Sequence, residues 1–357
     1  MTVPVAHSPH AHAATSLGGV MGTVMLALTP ATLFGFWMFG WPALNLWLIT
    51  IASAVLAEAW MLWMLGRAVR TTLLDGSAVL TGWLLALTLP PWAPWWIGVL
   101  GAAFAIVVVK QVFGGLGQNV FNPAMAARVM LLISFPLEMT TWALPASVVS
   151  ADAPSFWHGL EITFLSPPLD GMTGATTLGQ VKTALGQGMT LDQALTADYS
   201  LIGALLGERG GSPGETAALL LLAGGLLLIA RRVITWHAPI AMIVGVALPA
   251  LVFHLIDPNR YADPLFHLLS GALMLAAFFI ITDPVGSPNT GAGQLLFGLG
   301  CGLLTWIIRT WGGYPEGVAF AVMLMNAATP IIDRHVRPRV YGRTRRGDVL
   351  DPPKDLP

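Results

Sequence analysis

Residues 233–256 read VITWHAPIAMIVGVALPALVFHLI and contain no Asp, Glu, Lys or Arg. As a helix rising 1.5 Å per residue, such a stretch is roughly 36 Å long, enough to cross the ~30 Å hydrocarbon core of a bilayer. A helix apolar on all sides is either buried in a large core or surrounded by lipid. Similar apolar stretches occur at 19–39, 43–65, 77–89, 95–109 and 124–137, and again at 215–229, 265–281, 294–308 and 318–332. About ten spans are therefore expected, and helices satisfy their own backbone groups where no water is present. The fold class read from the sequence is an all-α polytopic membrane protein.

Composition agrees. Hydrophobic residues make up 55% of the 357 positions, charged residues only 10%, and the mean hydropathy is +0.71. A soluble domain covers itself with about 25% charged residues. The formal net charge of -1 excludes broad electrostatic binding of nucleic acid. Cys301 is the single cysteine, so the chain forms no internal disulfide and holds no iron–sulfur cluster alone. The polar start, with His7, His10 and His12 but no Lys or Arg before the first span, reads as a tail and not as a cleavable signal.

The spans divide the chain into a cytoplasmic tail (1–18), a first five-helix half (19–137), a long polar connection (138–214), a second five-helix half (215–332) and a basic tail (333–357). With the N-terminus inside, Arg67, Arg70, Lys110, Arg231 and Arg232 fall in cytoplasmic connections, and the C-terminal tail adds Arg334, Arg337, Arg339, Arg343, Arg345 and Arg346. The connections on the other side hold few: Arg260, Arg309, Lys182 and Arg209. The positive-inside rule then gives N-in, C-in, with 138–214 outside. The third span, which begins after Asp75-Gly76-Ser77, reads Thr81-Gly82-Trp83-Leu84-Leu85 and ends in Pro90-Pro91, and the eighth echoes it with Ser270-Gly271-Ala272-Leu273-Met274, ending in Asp283-Pro284. An odd number of helices per half would make the halves inverted, an arrangement that tends to place ligands at their interface.

Polar groups at membrane depth are candidates for function: Glu58, Arg128, His254 and Asn326. A satisfied interhelical hydrogen bond is the plain alternative for each. Two glycine-rich connections on the same expected side are of interest as well: GGLGQNVFNPA at 114–124, with Asn119 and Asn122, and TDPVGSP at 282–288, with Asp283. Amide side chains suit the edge of a heteroaromatic ring, and non-helical backbone at a membrane boundary either lines a cavity or makes ordinary turns. In the long connection, Asp170-Gly171-Met172-Thr173-Gly174-Ala175-Thr176-Thr177 reads as a turn and a threonine cap on a short helix. A threonine hydroxyl is a weak nucleophile unaided, and the residues alone do not nominate Thr176.

These motifs resemble those of the D-subunit family of the Rnf ion-translocating electron-transport complexes, which is related to the B subunits of the sodium-pumping NADH:quinone reductases. The resemblance covers nearly the whole chain: Asp75-Gly76-Ser77, Thr81-Gly82, Pro90-Pro91, the 114–124 stretch, Leu131 to Pro136, Gly214-Glu215-Thr216, and Thr282 to Val285 with Ser287-Pro288. Asp170 followed by Thr173-Gly174-Ala175-Thr176 looks like the family's flavinylation motif. What the resemblance implies is a covalent FMN on Thr176, attached by a flavin transferase during maturation, with Asp170, Thr173, Gly174 and Ala175 as recognition elements. It further implies a non-covalent riboflavin in the membrane part, for which Asn119, Asn122 and Asp283 are candidates. The expected activity is electron relay between ferredoxin and NAD(H) coupled to Na+ or H+ transport in the bacterial inner membrane, not quinone reduction. Partner subunits would carry the iron–sulfur clusters and further flavins, since this chain has no dinucleotide fingerprint. The rival readings are a cofactor-free inverted-repeat channel or transporter and a purely structural anchor. A channel would not require the Asp170 to Thr176 motif, and an anchor predicts that Thr176→Ala leaves electron transfer intact while the complex still assembles.

Overall fold

A computed structural model describes residues 16–150, 153–165, 176–195, 201–207 and 210–338. Every regular element among these residues is a helix, with no strand. Three helices, Leu17–Met64, His237–Ile256 and Gly291–Trp311, are long and apolar enough to cross a membrane, and Ser77–Thr88, Trp95–Gln111, Pro123–Ser134 and Ala218–Ala230 are shorter apolar helices. Large apolar side chains point outward along them, including Leu56, Trp63, Leu226, Leu248 and Leu255. Water does not tolerate so extensive an apolar exterior, and the chain is an integral membrane protein.

Leu17–Met64 would be about 72 Å long if straight, more than twice the hydrocarbon thickness. It folds back at Gly40, whose φ of 72° and ψ of -158° leave helical geometry. Both arms reach the same turn: Met21 packs beside Gly76, while Glu58 meets Ser77 through Lys110. Glycine permits the positive φ, and Pro42 has no N–H to continue the ladder. The carbonyls freed by the reversal are satisfied from elsewhere. Trp37 and Met38 accept from the N–H groups of Val148 and Ala146 at 2.9 and 3.0 Å, and Phe39 accepts from Trp92 Nε1 at 3.0 Å.

The stretch expected as one continuous span at 265–281 is broken. Helix Pro264–Leu269 stops at Ser270, Gly271 takes φ 69°, and helix resumes over Leu273–Leu275 and the π-helical Ala276–Ile280. Val69–Leu73, Gly76 at φ 78° and Ser77–Thr88 make a similar interruption in the first half. A cation from the following long helix reaches each break: Lys110 at Ser77, Arg309 at Ser270. These two residues correct the sequence reading, which assigned them to connections. Lys110 lies near the end of the π-helical Phe104–Gln111, Arg309 lies in Gly291–Trp311, and both are buried. Each is held by a carboxylate and by the polar groups at a helix break, and so needs no water.

The 138–214 connection is largely helical where described, with Phe156–Leu165, Thr177–Gly186, Leu191–Ala194 and Leu201–Leu206. Its Gly159 packs on Trp41 and Pro42 at the Gly40 reversal, so the connection and the reversal share one face of the molecule.

Candidate functional site

Thr176 is the N-cap of helix Thr177–Gly186, with φ -61° and ψ 152°. Its Oγ1 accepts from the Gly179 N–H at 3.2 Å. The helix is fixed from two sides. Leu178 and Val181 pack with Ala262, Phe266, Leu191 and Ala194. Lys182 Nζ donates to the carbonyls of Ile308, Arg309 and Tyr314 at 3.2, 3.1 and 2.9 Å, around the end of helix Gly291–Trp311. A cation there complements the helix dipole, and burial lowers the Lys182 pKa from its ordinary value.

Thr176 borders a hollow of about 20 Å³ shared with Glu215, Thr216, Ser270 and Gly271. Beneath it lies a set of buried charges. Arg309 donates to the carbonyls of His267 and Ser270 at 2.7 and 2.9 Å and to both Glu316 oxygens at 3.1 Å. Glu316 accepts in turn from the N–H groups of Ala272 and Val318, and a side chain at Gly271 would collide with its carboxylate. Arg128 Nη2 lies 3.5 Å from Glu215 Oε1. A cavity of about 540 Å³ adjoins through Leu178, lined by Lys182, Tyr261, Phe266, His267, Arg309 and Trp311 among others.

At the other end of the molecule, Asn119, Asn122 and Asp283 line a single cavity of about 340 Å³, with Ser77, Lys110, Phe278 and Phe279 also in its wall. The two glycine-rich connections meet through Asn326. Its Oδ1 accepts from the Asn122 N–H at 3.1 Å, and its Nδ2 donates to the Gly286 carbonyl at 2.9 Å. Asn122 Oδ1 is occupied in capping helix Pro123–Ser134, accepting from Ala124 and Met125. Asn119 Nδ2 donates to the Phe121 carbonyl, while its buried Oδ1 has no partner. Burial raises the Asp283 pKa, and the N–H groups of Val285 and Gly286 pull it part of the way back.

Residues 4–342 match the sequence profile described as the NQR2, RnfD, RnfE family. The chain belongs to this family. It is 54% identical over 350 residues to a protein of Halorhodospira halophila named as the D subunit of an ion-translocating oxidoreductase complex, with 98% of both chains covered. A protein of Stutzerimonas stutzeri with the same name is 55% identical over 337 residues, covering 94% of this chain and 95% of that one. The protein of that name in Escherichia coli K12 is 43% identical over 357 residues, covering 97% of this chain and all of the relative.

Within this family member, the residues nominated from the sequence fall into separate groups. Asp170, Thr173, Gly174 and Ala175 lie outside the described residues. Asn119, Asn122 and Asp283 come together, with Asn326 as their link, whereas Glu58 pairs with Lys110 and Arg128 with Glu215. His254 Nδ1 meets the nearby Tyr261 carbonyl, at 2.8 Å. Sequence reasoning missed Lys110, Ser77, Arg309 and Glu316. The available signal for the two cations was position: each lies within about two turns of the apolar end of a span and is followed within a few residues by glycine.

Proposed function

We propose that this chain is the flavin-carrying membrane subunit of an ion-translocating oxidoreductase complex, with FMN esterified through its phosphate to Thr176 Oγ1. Family membership and the position of Thr176 support the reading. Its hydroxyl stands at the N-terminus of a ten-residue helix, where unpaired N–H groups and the helix dipole favour a phosphate. The ~20 Å³ hollow has room for little more than a water, so the volume next to this helix that suits a ring is the ~540 Å³ cavity. FMN supplies one- and two-electron exchange, and the protein's part is to hold and tune it. Thr176 anchors the phosphate, Lys182 ties its helix to the membrane body, and the Arg309–Glu316 pair holds the backbone beneath it.

The 340 Å³ cavity is the proposed site of a non-covalent riboflavin. Asn119 offers a free acceptor, and Asp283 places a carboxyl group in the same wall. These oxygens suit the N–H on the pyrimidine edge of an isoalloxazine, with Phe278 and Phe279 as apolar wall. Electrons would enter and leave through partner subunits bearing iron–sulfur clusters and further flavins, between ferredoxin and NAD(H), coupled to Na+ or H+. We read the membrane body as two inverted five-helix halves, N-in and C-in, with Thr176 on the periplasmic side. The paired helix breaks at Gly76 and Gly271, each met by a cation from the next long helix, support that reading.

The test of the main proposal is ultraviolet illumination of the denatured chain on a gel after expression with a flavin transferase. A fluorescent band is expected; a dark one refutes the covalent flavin. For the second site, Asn119→Ala should lower the affinity for non-covalent flavin roughly fivefold, as loss of one buried hydrogen bond of about 1 kcal/mol implies, with the covalent signal unchanged. Flavin released on denaturation of the purified complex measures this, and Asn119 retaining no influence on it would remove the cavity assignment. Asn119 is the better probe because Asn122→Ala would also lose a helix cap.

A further inference from the structure

Thr176, the proposed attachment point, is only 9% exposed. Its Oγ1 is occupied by the Gly179 N–H, and the ~20 Å³ hollow beside it has room for about one water. Transfer of a phosphate requires a phosphorus atom in line with that oxygen, together with the remaining phosphate oxygens, each about the size of a water. The docked threonine offers no such room.

The two sides of the hollow are unequally fixed. On the membrane body it is walled by Glu215, Thr216, Ser270 and Gly271. Ser270 and Gly271 belong to the helix break locked by Arg309 and Glu316 through charge-assisted bonds, and Glu215 stands against Arg128. On the other side is Thr177–Gly186, whose ten residues are too few to stay helical alone in water. Its apolar seat, Leu178 and Val181 with Leu191, Ala194, Ala262 and Phe266, is a small cluster separate from the main core. Leu191 and Ala194 lie in the same connection, and Leu191 adds one backbone bond, to the Asn259 carbonyl. The remaining tie is Lys182, through the carbonyls of Ile308, Arg309 and Tyr314. Those carbonyls lie in and just beyond the last turn of Gly291–Trp311, where water can replace the ammonium. A segment held by so few buried contacts opens at a lower free energy than the body it rests on.

We infer that Thr177–Gly186 is a latch over the modification site: the flavin transferase acts on Thr176 while this helix stands off the membrane body, and docking through Leu178, Val181 and Lys182 closes the site to it. Modification therefore precedes docking. The transfer forms a phosphoester at Thr176 Oγ1 and breaks the phosphoanhydride of a flavin dinucleotide donor. The nucleoside monophosphate leaves, and the hydroxyl proton passes to a base of the transferase. The inference rests on the covalent-flavin reading of Thr176.

The experiment starts from the full chain, made in membranes of a host without the transferase. Transferase and FAD are then added, and the fluorescence of the denatured band is followed with time. Wild type should be modified slowly and Lys182→Met about tenfold faster, as loss of a charge-assisted hydrogen bond implies. Lys182→Arg keeps the cation and should stay near the wild-type rate, as should Gln180→Ala, exposed on the same helix. If the transferase instead reads Lys182 as part of its recognition sequence, Lys182→Met slows the reaction, which overturns the latch. Hydrogen exchange should quicken over Thr177–Gly186 in Lys182→Met and stay unchanged in Gly291–Trp311, which separates lifting of the helix from general misfolding. Val181→Ala, a milder change at the same seat, should raise the rate by a smaller factor. Equal rates in wild type, Lys182→Met and Val181→Ala, with the band fluorescent, overturn the latch alone. A band dark in every variant removes the covalent flavin, and the latch with it.

Discussion

Thr176→Ala should turn the denatured band completely dark under ultraviolet light, whereas Thr177→Ala should leave it as bright as the wild type. The two threonines are adjacent and chemically identical, but the fold gives them different places. Thr176 is the cap, its Oγ1 3.2 Å from the Gly179 N–H, while Thr177 is the first residue of the helix proper. Only the cap hydroxyl combines the position at the end of the Thr173 to Thr176 tetrad with the helix N-terminus that favours a phosphate. Loss of a cap costs about 1 kcal/mol, and the helix remains held by Leu178, Val181 and the three bonds of Lys182. Darkness in Thr176→Ala would therefore report chemistry and not unfolding. Thr176→Ser keeps the oxygen and is expected to keep at least part of the signal. A fluorescent Thr176→Ala band, or a dark Thr177→Ala band, would move the attachment elsewhere.

Arg309→Leu should be the most destabilising single substitution near this site, by about 3–5 kcal/mol, because it strands buried partners of a charged group. The guanidinium serves the carbonyls of His267 and Ser270 and both oxygens of Glu316. Two of these acceptors sit at the helix break around Gly271, whose geometry admits no side chain beside Glu316. Without Arg309, the break loses its donor and Glu316 keeps an uncompensated charge. Adding Glu316→Gln should recover part of the loss, though Ala272 and Val318 would still rely on that side chain for an acceptor. Thermal unfolding in detergent measures the series, with Arg260→Leu as an exposed comparison expected to change stability by less than about 0.5 kcal/mol. An Arg309→Leu protein as stable as wild type would show that the break is held some other way.

The contrast between Arg309 and Arg260 illustrates what was legible. Both appear in the sequence as cations between apolar stretches, and counting charges treats them alike. In the fold, one is buried with several partners and the other lies exposed over the Tyr261 ring. Lys110 was misread for the same reason: its carboxylate partner, Glu58, lies far earlier in the chain, and no local pattern announces a pair so widely separated. The break at Gly271 was hidden because the sequence around it stays apolar, and hydropathy does not register backbone dihedral angles. By contrast, the cap at Thr176 was readable, since capping depends on residues two or three positions away.

Sequence alone determined that this chain is helical and lies in a membrane, because both follow from local composition: apolar runs of bilayer length, in a solvent that offers backbone groups no partner. It also supplied the motif ending at Thr176 and both asparagine- and aspartate-bearing connections. Tertiary structure alone decided that Asn119, Asn122 and Asp283 share one cavity, that Asn326 ties their connections together, and that Lys110 stands between that cavity and Glu58. The physical reason is desolvation. A polar group inside the membrane must find a partner wherever the fold brings one, and sequence distance places no limit on where that partner comes from.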